Sequence, residues 1–95
     1  MMNKKIVREI PFRVFVNMVE AADVIKLNTV TVDKYKVNGN YLYFTNDGEE
    51  TIFDETSGYT ITVQSGATFV TTKRGNIIMF YKLHAMNMTD DIFAF

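Results

Sequence analysis

Hydrophobic and polar positions follow two different periods along this chain. From Lys4 to Ile10 they alternate, as in a strand with one covered face, and the single proline, Pro11, stops the run. Beyond it Met18, Ala21, Ala22 and Ile25 fall on one face at helical spacing. Asn17 with Glu20 three residues later has the form of an asparagine capping box, and Asn28 can close the far end. These signals predict a helix of about three turns near 17–27, with an extension back towards Phe12 as the variant. From there on the period shortens to two, and β-branched and aromatic runs predict strands near 29–37, 40–46, 50–55, 59–64, 67–74 and 77–84.

Turn residues separate those runs with a steady rhythm. Asn38-Gly39, Asp47-Gly48, Ser57-Gly58, Ser65-Gly66 and Gly75-Asn76 place successive glycines 9, 10, 8 and 9 residues apart. Such spacing is that of an antiparallel meander, each turn reversing the chain so that the next strand pairs with the last. The expected fold is therefore α+β and mostly β. Five or six antiparallel strands curl into a small barrel or half-barrel, with one N-terminal helix packed on it. Residues 1–95 read as a single globular domain, with 89–95 a short apolar C-terminal tail.

Composition narrows the function classes more than it names one. Eleven threonines against two serines agree with the strand reading. With no cysteine, disulfides, thiolate catalysis, zinc ribbons and iron–sulfur clusters are excluded. A small secreted domain usually carries disulfide staples, so the cytoplasm is the expected compartment. The start, Met1-Met2-Asn3-Lys4-Lys5, imitates a signal peptide, but Arg8, Glu9 and Arg13 interrupt the apolar run such a leader needs. No stretch approaches the ~18 apolar residues of a membrane span, and no membrane partner is expected. The net charge of −1 hides an asymmetry: no Lys or Arg occurs between Val37 and Thr72, where Asp47, Glu49, Glu50, Asp54 and Glu55 lie.

The residues that could carry chemistry also have ordinary structural uses. His84 is the one histidine and has no carboxylates at ligand spacing around it, so it reads as a structural or surface residue. Ser57 and Ser65 precede turn glycines, where serine serves the backbone rather than catalysis. No phosphate loop or dinucleotide fingerprint occurs. No enzyme activity, catalytic residue, metal or cofactor is expected. The acidic residues Asp47, Glu49, Glu50, Asp54 and Glu55 match no calcium-loop spacing. They read either as a solvated, edge-protecting run or as an acidic edge that docks on a basic protein surface. If Asn38-Gly39 is a two-residue turn, Lys36 lies opposite Tyr41 and Lys34 opposite Tyr43. Lys34, Lys36, Tyr41 and Tyr43 would then share one face, while Tyr35, Val37, Leu42 and Phe44 line the core. Two rings and two ammonium groups on a sheet can hold single-stranded nucleic acid, although Lys–Tyr pairs are also routine on solvated faces.

The chain ends Thr89-Asp90-Asp91-Ile92-Phe93-Ala94-Phe95. Over about six residues this resembles the acidic tip of bacterial single-stranded-DNA-binding proteins, though those tips carry more acids and a proline before the last phenylalanine. The resemblance implies recruitment of another protein by the terminal ring. Ile92, Phe93 and Phe95 otherwise read as groups that cover the domain or a subunit contact, since three large apolar side chains in water are a liability. The leading expectation is a non-enzymatic protein-binding module. It would be a small regulator or inhibitor of the kind phages and mobile elements deploy, acting through the acidic hairpin edge and the apolar tail. The alternative is a single-stranded nucleic-acid binder using the Lys/Tyr face, and a homo-oligomer is a third option.

Overall fold

In the computed structural model, residues Lys5–Leu83 are described. They form nine strands and one helix: β1 (Lys5–Ile10), α1 (Phe12–Ala21), β2 (Ala22–Leu27), β3 (Val30–Thr31), β4 (Lys34–Asn38), β5 (Tyr41–Asn46), β6 (Glu49–Asp54), β7 (Tyr59–Gln64), β8 (Ala67–Thr72) and β9 (Ile77–Leu83). The α+β, mostly-β class is as expected from the sequence. The strands do not close into a barrel. They divide into a six-stranded sheet, in the order β1-β7-β8-β9-β2-β3, and a three-stranded sheet, β4-β5-β6, with every pairing antiparallel.

The meander is interrupted once. Hairpins join β4, β5 and β6, and others join β7, β8 and β9, but β6 does not pair with β7. Between them Asp54 organises a tight corner. Its carboxylate accepts the Thr56 N–H at 2.9 Å and the Thr56 hydroxyl at 2.6 Å, and its carbonyl accepts the Tyr59 hydroxyl at 2.6 Å. Gly58 sits here at φ +67, and a Cβ on it would lie 2.8 Å from the Lys73 side chain. Ser57-Gly58 therefore marks a passage between sheets, not a hairpin.

The helix begins earlier than its capping signal. Pro11, at φ −72, presets the entry, and its carbonyl accepts the N–H groups of Val14 and Phe15 at 3.0 and 3.2 Å. Asn17 lies mid-helix and makes no cap. The chain turns extended at Ala22, so the apolar residue Ile25 belongs to β2 instead of the helix face. The cause is long-range: β2 is held along its length by β9, in register from Ala22↔Leu83 to Leu27↔Ile78. Asn28, read as a helix end, instead opens a two-residue turn at φ 49, and Thr29 follows at φ 75. The predicted strand 29–37 is correspondingly split into β3 and β4.

The core lies where α1 is held between the two sheets. Val14, Phe15, Met18 and Val19 are its buried face. Phe15 is fully buried and touches both layers: Phe44 and Phe53 of the small sheet at 6.4 and 5.7 Å between ring centroids, Tyr59 and Phe80 of the large one at 4.5 and 6.2 Å. Ile10, Ile25, Ile61, Val70 and Ile78 complete the large sheet's inner face, and Leu42 that of the small sheet. Each such side chain contributes roughly 1.5–3 kcal/mol by leaving water. Of the four residues expected to line the core from the small sheet, Leu42 and Phe44 do so, whereas Tyr35 and Val37 on the edge strand stay about 40% exposed.

Candidate functional site

The outer face of the three-stranded sheet gathers most of the residues singled out in the sequence. Its register differs from the expected one by a full pleat. Asn38 pairs with Tyr41 across Gly39-Asn40, so Lys36 faces Tyr43 and Lys34 faces Thr45. The positive φ of 61 falls on Gly39, the first central residue of the turn. A displacement of two residues keeps every side chain on its predicted face, which is why the grouping of Lys34, Lys36, Tyr41 and Tyr43 survives it. A displacement of one would have buried the lysines.

Strand β6 completes that face with Glu50, Ile52 and Asp54. Across β4, β5 and β6 the outward rows are Lys34, Thr45 and Glu50; Lys36, Tyr43 and Ile52; Asn38, Tyr41 and Asp54. Two ammonium groups thus share a surface with two carboxylates. The Lys36 ammonium lies 4.8 Å from the centroid of the Tyr43 ring, over its face, and Tyr41 and Tyr43 lean together at 6.4 Å. Tyr41 is 47% and Ile52 54% exposed, and together with Tyr43 they make an apolar centre. A shallow depression of ≈ 350 Å³ opens beside it, lined by Lys34, Tyr35, Lys36, Thr45 and Glu50. Ile52 was missed. Its signal was available, because an isoleucine out of phase with Phe53 in an alternating strand must face outwards.

The acidic residues do not form one patch. Asp47 and Glu49 lie at the β5–β6 turn, Asp54 and Glu55 at the opposite end of β6, roughly 17 Å away at the rise of an extended strand. The turn end is fixed by Asp33, whose carboxylate accepts the Asp47 N–H at 2.9 Å, and by Asn46, whose side-chain amide donates to the Thr31 carbonyl. Asp54 is occupied in shaping the corner described above. The hydroxyl and N–H of Thr56 hold its carboxyl below the usual carboxylate value. Tyr59 shows the reverse: burial pushes its phenol up to about 12, with the Asp54 charge adding to the shift. Both groups serve the passage between the sheets.

Set against known proteins, the chain matches no family, no curated protein and no solved structure. The site must therefore be read from its own geometry. Among the described residues no cluster of three or more His, Asp or Glu could hold a metal ion. No helix there is long and apolar enough to cross a membrane. His84, Ile92, Phe93 and Phe95 lie outside the described residues.

Proposed function

We propose that this chain is a non-enzymatic protein-binding module that docks through the outer face of β4-β5-β6. The observation that carries this reading is the Tyr43↔Ile52 pairing, which sets an exposed aliphatic group beside two tyrosines. Tyrosines around a small apolar centre, rimmed by charge, have the anatomy of a protein-binding hot spot. Glu50 and Asp54 on the outward face of β6, with Glu49 and Glu55 at the two ends of that strand, make this edge acidic, which favours a basic partner surface. Ile92, Phe93 and Phe95 enter the proposal from the sequence alone, as an apolar extension of the contact. Its finer form is a small cytoplasmic regulator or inhibitor of the phage type that occupies a partner's surface.

Nucleic acid is the second reading, favoured by Lys34 and Lys36 on the same face as Tyr41 and Tyr43. Two features weigh against it. Glu50 and Asp54 balance the two lysines, and one face of the Tyr43 ring is already covered by Lys36. An affinity capture from the native host, run with and without nuclease, separates the readings. The expected result is a protein retained in both arms by the wild type and lost with Ile52→Asp. Retention that disappears with nuclease, or that ignores Ile52→Asp, would count against the proposal. Glu49→Lys with Glu50→Lys is expected to slow association and flatten its salt dependence.

A further inference from the structure

We infer that two copies of this chain pair antiparallel along β1, with Val7 on the twofold axis, to form a homodimer. Strand β1 is an edge of the six-stranded sheet: β7 pairs with one side of it, and no described strand pairs with the other. Five of its six residues are exposed, including Val7 at 52%. An edge of this length presents unpaired N–H and C=O groups to any strand that fits.

The other edges carry charge of a single sign or are short. Strand β4 carries Lys34 and Lys36, β6 carries Glu49, Glu50 and Asp54, and β3 is only two residues long. Only β1 among these edges holds both signs, as Lys5, Arg8 and Glu9. On its outer face the order is Lys5, Val7, Glu9, a basic, an apolar and an acidic group. Within the chain Lys5 and Glu9 sit opposite neutral residues, Gln64 and Thr60.

Backbone geometry then restricts the register. In an antiparallel ladder only every second residue turns its peptide groups towards the free side, so residues facing each other across a twofold axis are an even number apart. The axis must pass through a residue, never between two. An axis at Arg8 opposes two guanidinium groups. An axis at Ile6 sets Lys5 against Val7 and leaves the Lys5–Glu9 complementarity unused. An axis at Val7 pairs Lys5 with Glu9 twice, Ile6 with Arg8 twice, and Val7 with its own mate. Every residue from Lys5 to Glu9 then has a compatible partner, and like charges nowhere stand directly opposite.

Sedimentation velocity of the full chain over a concentration series tests this. The expected species is twice the 10.9 kDa of one chain, shifting towards monomer as salt rises. Glu9→Lys and Lys5→Glu are each expected to raise the dissociation constant about tenfold or more, because each creates two like-charge oppositions across the axis. The double variant Lys5→Glu/Glu9→Lys restores complementarity and is expected to recover the dimer. Unchanged circular dichroism in all three verifies that these exposed substitutions leave the fold intact. A wild type that stays monomeric at every concentration overturns the inference, and so does a double variant that fails to rescue. Growth beyond dimers would also overturn it, since that is what head-to-tail contact between basic β4 and acidic β6 would give. The Tyr41–Ile52 face lies on the other sheet, so its binding can be lost or kept independently of this result.

Discussion

The two hairpin ladders of this molecule, β4-β5-β6 and β7-β8-β9, begin as the same construction and end differently. Each has three antiparallel strands joined by short turns. The second recruits β1 on one side and β2 with β3 on the other, while no further described strand pairs with either flank of the first. Their flanking strands explain the contrast. Strand β7 carries no charge, and β9 carries only Lys82 near its end, whereas β4 has two lysines and β6 three carboxylates. Neutral flanks can be covered on both sides, while charged flanks resist a neighbouring strand and remain edges. The small sheet is thereby left as the exposed, decorated surface, and the large one becomes the frame.

If the sheets are one cooperative unit, the residue between them should matter most. Phe15→Ala removes the ring that touches Phe44, Phe53, Tyr59 and Phe80, and is expected to cost about 3–5 kcal/mol. Chemical denaturation should keep a single transition at a lower midpoint. Two separate transitions would mean that the ladders fold independently and that the helix joins them only loosely.

The recruitment of β2 offers a smaller lever. Asn28 donates its backbone N–H to the Ile77 carbonyl and accepts the Ile77 N–H on its side-chain oxygen, each at 2.8 Å. Asn28→Ala loses that second bond together with the one its side-chain amide donates to the Asn76 side-chain oxygen at 2.9 Å, and keeps a left-handed backbone that alanine tolerates less well, for a loss of about 1–2 kcal/mol. Hydrogen exchange should locate that loss at the β2–β9 ladder and leave the small sheet unchanged. Equal deprotection of both sheets would show that the two ladders open together.

The corner between the sheets should show itself through pH. Tyr59 has its phenol raised from 10.0 to about 12, so its contribution is whole below pH 10 and drains away as pH rises towards 12. Asp54 is shifted downwards from 3.8, so its contribution is whole above that value and fades as pH falls through the lower folded one. Tyr59→Phe is expected to remove the alkaline limb, at a loss of about 1 kcal/mol near neutrality for the missing bond to the Asp54 carbonyl. Stability measured across the alkaline range checks the sign; an unaltered limb in the variant would assign the titration to another group.

The smallest expected effect is a gain. Thr29 is a β-branched residue held at φ 75, a conformation that suits glycine. Thr29→Gly should stabilise the chain by about 0.5–1 kcal/mol, the relief of strain being partly offset by the freer unfolded chain. A thermal midpoint that fell would show the threonine side chain to be holding something in place.

Much of this architecture was legible because its causes are local. The strand at Tyr59–Gln64 and the turns at Asp47-Gly48 and Ser65-Gly66 stand where alternation and turn chemistry put them, both residues of each turn having positive φ. The grouping of Lys34, Lys36, Tyr41 and Tyr43 was legible for the same reason, since the pleat fixes the face even when the register slips by two. The helix was half legible. Asn17 and Glu20 offered a cap that Pro11 pre-empted six residues earlier, and Ile25 fitted a helical stripe as well as a strand.

By itself, then, the sequence determined the class, most strands and the side on which each residue stands, because propensity, pleat and turn chemistry act over a few residues. Only the tertiary structure decided that the meander breaks at Ser57-Gly58 and that β1 and β2 flank β7 and β9. Those choices rest on contacts between residues dozens of positions apart, where the competing pairings differ by packing around Phe15 and by charge along the strand edges. No local pattern records them.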